Sequence, residues 1–169
     1  MSIEEAIKTA IDYETKIRDI YRDSADKITD PSGKKFFKMM GDDEHHHVEY
    51  LMERLKLWKK TGKLHAENLK TTIPSIEIIQ KETAKVKAHM SKKDLSNEIA
   101  ILSKALKSEI ETSNFYRRMV NQLPDQEQKM FARFLEIEEH HIAAVQAELD
   151  YITHTGYWFD FKEFDMEEL

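Results

Sequence analysis

The sequence predicts an all-α protein, an antiparallel four-helix bundle made of two like hairpins, and three observations predict it. Charged residues make up 34% of the chain while Gly and Pro number four and three, a composition suited to long helices rather than a sheet. Apolar residues recur at steps of three and four over four stretches, about 2–28, 32–60, 95–122 and 125–152. The second pair of stretches then repeats the first at an offset of 93 to 95 residues, the mark of an internal duplication. At 169 residues this is one domain, 1–169, with enough chain to bury a core.

The first helix opens on Ser2, which can cap, with Glu5 three residues later as in a capping box. Ala6, Ala10, Ile17 and Ile20 recur on one side, and Glu14 and Tyr21 lie in the same stripe. Thr29-Asp30-Pro31-Ser32-Gly33 reads as a turn, and the second helix closes on Thr61-Gly62, with Gly62 as its C-terminal cap. So short a connection between long helices implies an antiparallel hairpin. Residues 63–94 are Lys-rich, contain Pro74 and carry one helical piece, roughly Ser75 to His89. A connection this long suits a crossover running the length of a bundle. The third helix starts near Asp94 or Ser96, with Leu102, Ala105, Leu106, Glu109, Tyr116 and Val120 inward, and Leu123-Pro124-Asp125 turns the chain into the fourth.

Composition narrows function. A net charge of -6 without a basic stripe argues against nucleic acid as a partner. The absence of cysteine removes disulfides, zinc-thiolate sites, iron–sulfur clusters and thiol catalysis. Met1-Ser2-Ile3-Glu4-Glu5 has no signal-peptide character and no apolar run approaches membrane-spanning length, so a soluble cytoplasmic protein that meets no membrane is expected.

The chemistry concentrates on Glu44-x-x-His47 and Glu138-x-x-His141. Each pair sits inside an apolar stripe, the first among Phe37, Met40, Leu51 and Leu55, the second among Phe131, Phe134, Val145 and Leu149. Residues three apart share a helix face, so carboxylate and imidazole both point into the core, where they are costly unless compensated. One such pair by itself is an ordinary feature of a charged helix. The full set is not: Glu14, Glu44, His47, Glu109, Glu138 and His141 all lie on inner stripes and match across the duplication. Four carboxylates converging in an apolar interior cannot all stay ionised without cations, and two divalent ions balance them. Carboxylate with a single imidazole per metal suits iron or manganese. Two helices giving one Glu each and two giving Glu-x-x-His resemble the ligand pattern of ferritin-like di-iron and di-manganese carboxylate bundles. By that pattern Glu44 and Glu138 bridge, and Glu14 with His47 and Glu109 with His141 bind terminally.

The spacing Glu14-x6-Tyr21, Glu44-x-x-His47, Glu109-x6-Tyr116 and Glu138-x-x-His141 resembles the rubrerythrin branch of the ferritin-like superfamily, over nearly the whole chain. The resemblance implies a non-haem di-iron centre that reduces hydrogen peroxide to water in oxidative-stress defence. It also implies a homodimer or larger homo-oligomer. Tyr21 and Tyr116 would donate hydrogen bonds to the metal-binding carboxylates; the plainer reading makes them core tyrosines with a polar handle. Two departures stand out. No four-cysteine rubredoxin domain is present, so electrons must come from an external donor, a rubredoxin-like protein or a reductase. Thr112 stands where the family carries an extra Glu, and Glu111 points off the inner face, leaving a symmetric six-ligand site.

Six-ligand symmetry also resembles bacterioferritin, but His45 occupies the place of that family's haem-binding Met. A ferroxidase acting on Fe(II) and O2 is therefore the alternative enzyme. A non-catalytic helical binding module with a structural metal site is the alternative outside enzymes. His45, His46 and His140 lie on other faces, and His65, His89 and His154 read as solvated. The tail, 153–169, is rich in aromatics around Tyr157-Trp158-Phe159, which implies that it packs over the bundle end or against another subunit.

Overall fold

The structure, a computed structural model, describes residues 1–85 and 94–160. Among them the regular elements are all helical: α1 (Ile3–Lys27), α2 (Pro31–Thr61), α3 (Ile76–Lys85), α4 (Ser96–Gln122) and α5 (Asp125–Thr155). The arrangement is compatible with a helical bundle, in which α1 packs on α2 and α4, α4 on α5, and the short α3 on α5.

The helix ends follow from local chemistry. At α1, Ser2 and Glu5 form the capping box, Glu5 N–H donating to Ser2 Oγ at 3.2 Å and Ser2 N–H to Glu5 Oε2 at 2.7 Å. α2 starts at Pro31, one residue earlier than the sequence suggests. Asp30 takes the Ser32 and Gly33 N–H groups at 2.9 and 3.1 Å, and Pro31 fits the first helical position, where no donor is needed. α2 and α5 both stop at a left-handed glycine, Gly62 (φ 67°) and Gly156 (φ 72°). That stop carries α5 to Thr155, three residues beyond the expected Ile152. The helical piece in the crossover begins at Ile76; its expected end at His89 lies outside the described residues.

The core falls into two apolar clusters. One gathers Ile17, Tyr21, Phe37, Leu102, Ala105 and Val145, the other Ala10, Leu51, Phe115, Tyr116, Phe131 and Phe134. Each long helix contributes to both, and between its two contributions carries the polar residues of the inner stripe: Glu14, Glu44 with His47, Glu109, and Glu138 with His141. A polar layer thus crosses the bundle between two apolar plugs. Burying a Phe or Ile side chain contributes about 1.5–3 kcal/mol. A buried ion costs several kcal/mol, so the plugs must offset the layer unless the charges are compensated.

The two connecting segments are tied down. After α2, Leu69 and Ile73 are buried, and Arg54 Nη2 and Tyr50 Oη donate to the Glu67 carbonyl at 2.8 and 3.0 Å. After α5, Trp158 packs tilted against Phe36 and edge-on against Phe37, and sits so close to Gly33 that a Cβ there would lie 2.5 Å from its ring. Residues 157–160 therefore fold back over the bundle end, while Phe161 and Phe164 lie outside the described residues. Among the described residues no helix is long and apolar enough to cross a membrane.

Candidate metal centre

The structure brings together all six residues singled out as ligands. Glu14, Glu44, Glu109, Glu138 and His141 are fully buried and His47 is 1% exposed. Helical spacing does the placing: α1 and α4 supply one carboxylate each from the middle of their inner stripe, and α2 and α5 supply a carboxylate and an imidazole one turn apart.

The imidazoles of His47 and His141 stack with ring centroids 5.5 Å apart and planes 14° from parallel. His47 Nδ1 faces Glu44 Oε2 at 3.3 Å and Glu14 Oε2 at 3.5 Å. His141 Nδ1 faces Glu44 Oε1 at 2.7 Å and both Glu109 Oε1 and Glu138 Oε1 at 3.7 Å. Ligand atoms close enough to share one ion, all within 4.8 Å of each other, form two groups of four and, on the far side of the imidazoles, a group of three made by Asp43, His47 and His141. Of the groups of four, one is Glu14, Glu44, His47 and Glu138; the other is Glu44, Glu109, Glu138 and His141. Glu44 and Glu138 belong to both.

Tyr21 donates to Glu109, and Tyr116 donates to Glu14, through short hydrogen bonds. Each tyrosine thus reaches the carboxylate of the other helix pair. Burial pushes both phenols well above their ordinary value, and the surrounding carboxylates add to it, so both remain protonated donors. Burial likewise pushes Glu44 up to about 8, reinforced by Glu14 and Glu109 and opposed by His141. Glu138 rises well above the carboxylate range for the same reason, with Glu14, Glu109 and Glu44 nearby. Burial opposes charge on Glu14 too, but hydrogen bonds from Glu44, His47 and Tyr116 outweigh it and hold that carboxyl below its ordinary value. Burial would depress His47, yet Glu14 and Glu44 raise it to about 10.

The orphaned oxygens test whether a cation fits. Among the described residues, Glu14 Oε2, Glu109 Oε2 and both oxygens of Glu138 are buried without a hydrogen-bond partner. Buried acceptors are rarely left this way, and four of them in one layer fit a site built for cations. The buried carboxylates and imidazoles present could hold a metal ion.

No known protein family, curated protein or solved structure matches this chain. The site must be read from its own geometry.

One buried residue in the layer escaped the sequence reading. Asp43, 1% exposed, accepts from His141 Nε2 at 2.8 Å and lies 3.6 Å from His47 Nε2. It also accepts from Thr71 Oγ1 at 2.6 Å and from the Thr72 N–H at 2.8 Å. Its carboxyl is held well below the usual carboxylate range: burial opposes this, and the His141 bond with the charges of both histidines wins. Asp43 stands four residues before His47, a helical spacing that was available to find it. Thr112 gives its hydroxyl to the Ser108 carbonyl at 2.9 Å, and Glu111 sits at the surface beside Lys16 at 3.4 Å, so neither joins the site. His45 and His140 are half-buried and His46 exposed, all outside the groups of ligand atoms.

Proposed function

We propose that the chain is a ferritin-like, antiparallel four-helix carboxylate protein holding two iron ions, and that it reduces hydrogen peroxide with electrons from an external donor. The observation that carries this reading is the pair of four-residue groups sharing Glu44 and Glu138, with carboxylate oxygens left unsatisfied in a sealed layer. Glu44 and Glu138 would bridge; Glu14 with His47 and Glu109 with His141 would bind terminally. When bound, two irons supply the two electrons that, with two protons, convert one peroxide into two waters.

The chain's own residues supply the rest. The apolar plugs exclude water, which strengthens each electrostatic contact between them. Tyr21 and Tyr116 hold protons against Glu109 and Glu14, fixing these carboxylates in place. The high proton affinity of Glu44 and Glu138 gives the layer a place to take up protons whenever positive charge leaves it. No protein nucleophile is needed.

A ferroxidase is the second reading, favoured by Thr112, whose spent hydroxyl leaves the site with six ligands and no extra carboxylate. The test is elemental analysis after anaerobic reconstitution, then stopped-flow mixing of the reduced protein with H2O2 and with O2. Two irons per chain and faster oxidation by peroxide support the proposal. Faster oxidation by O2 with a ferric mineral product moves the assignment to ferroxidase, and two manganese in protein from its native host would point to peroxide disproportionation. Failure to bind a metal pair overturns it.

A further inference from the structure

The six ligands repeat across the duplication, but what stands behind the two imidazoles does not. His141 Nε2 donates to the Asp43 carboxylate at 2.8 Å. His47 Nε2 has the neutral Lys70 carbonyl at 3.3 Å as its nearest acceptor, with Asp43 farther off at 3.6 Å. The position equivalent to Asp43 in α5, 94 residues on, is Ile137, a buried apolar residue that can offer nothing. A metal-binding imidazole becomes a stronger donor when its other nitrogen gives a proton bond to a carboxylate, and less so to a carbonyl. Access differs in the same direction. A cavity of about 280 Å³ is lined by Asp43, His46, His47, Tyr50 and the connecting segment 68–72, and His141 is not among its walls.

We propose that the two metal positions are unequal: the one at Glu109 and His141 binds first and tightly, and the one at Glu14 and His47, beside the cavity, is the weaker and exchangeable one. Asp43 is the positioning residue that creates the difference, fixing the direction and basicity of His141 without touching the ion. Its Thr71 and Thr72 contacts make the connecting segment part of the device, because they hold the carboxylate that holds the imidazole. The inference rests on the binuclear reading above.

Cobalt(II) titration of the full metal-free chain, followed by its visible absorption, tests it. Wild type should take up two ions in two resolved steps. Asp43→Asn should weaken the first step by about 10–100-fold and leave the second within about threefold, since the loss of such a partner has that effect on metal affinity. Uptake of no cobalt pair by wild type sinks the metal reading itself. Two equal steps in wild type, or an equal loss of both steps in Asp43→Asn, would each overturn the inequality while leaving the metal centre standing. A readout without substitutions guards against a variant that does not fold: with one equivalent of zinc, the imidazole ¹⁵N signals of His141 should move before those of His47. Simultaneous movement, or His47 first, overturns the proposal.

Discussion

Set side by side, α1–α2 and α4–α5 agree where they face the centre and disagree one residue away from it. Glu14 and Glu109, Tyr21 and Tyr116, Glu44 and Glu138, His47 and His141 correspond at offsets of 94 or 95 and occupy like places in one layer. Asp43 against Ile137 is the first divergence. Arg54 against Glu148, also 94 apart, is another, and here a basic and an acidic side chain do the same job. Arg54 reaches forward to the Glu67 carbonyl, and Glu148 accepts the Phe159 N–H at 3.0 Å. Each pins the segment that leaves its helix, a donor where a carbonyl is presented and an acceptor where an N–H is. The two halves therefore share the geometry of the candidate ligands while each secures its connection in its own way.

If the two pairs serve one centre rather than two, the largest effect comes from a residue common to both groups. Glu138→Ala belongs to α5, yet it is expected to abolish pairwise metal binding, cutting stoichiometry from two to one or none. The metal-free variant should be more stable than metal-free wild type, because a buried carboxylate without a partner is gone. Elemental analysis and chemical denaturation measure the two effects. Retention of two metals at native affinity would show that Glu138 does not bridge.

A smaller effect separates the halves at their connections. Arg54→Ala removes a charged hydrogen bond and the stacking of the guanidinium, 4.4 Å over the Tyr50 ring. A loss of about 1–3 kcal/mol is expected, with faster backbone hydrogen exchange over residues 67–73 and unchanged exchange at 157–160. Acceleration at both connections would mean that they are coupled rather than separately secured.

What the sequence made legible follows from the same contrast. Periodicity marks residues that share a face, and duplication marks those that recur, so Glu14, Glu44, His47, Glu109, Glu138 and His141 stood out twice over. Asp43 recurs nowhere, because its counterpart is Ile137, and beside Glu44 it reads as one more acid in a charged helix. Arg54 and Glu148 are of opposite chemical type, so comparing the halves conceals their common role. The connection 63–75 is held by a carbonyl, two threonines and the buried side chains of Leu69 and Ile73, none of which follows a helical period. Helix termini were legible to within a turn, and the differences came from caps: Asp30 with Pro31 draws α2 back, and Gly156 lets α5 run on to Thr155.

The smallest effect concerns Glu148, and its sign depends on pH. This carboxyl is fully buried; burial pushes it well above the ordinary value of 4.5, the Phe159 N–H opposes, and Asp160 and Asp30 add to the rise. A carboxyl raised in the folded state is neutral there over a range in which the unfolded chain has already released its proton. The folded state then binds more protons, so stability declines as pH climbs from about 4.5 toward the raised value, and is intact below it. Glu148→Gln keeps an oxygen to accept the Phe159 N–H and removes the titration. Measured on metal-free protein, its thermal midpoint should exceed that of wild type by a few degrees at pH 7, and the two should converge near pH 4.5. The comparison at each pH cancels the titration of the buried polar layer, which is common to both proteins. Arg54→Ala, the matching change on α2, should instead lower stability by an amount that stays constant across this range, because guanidinium groups in general do not titrate there. A constant difference for Glu148→Gln as well, or none, would mean that the buried carboxyl keeps its charge in the fold, and that the two connections are secured by the same electrostatics after all.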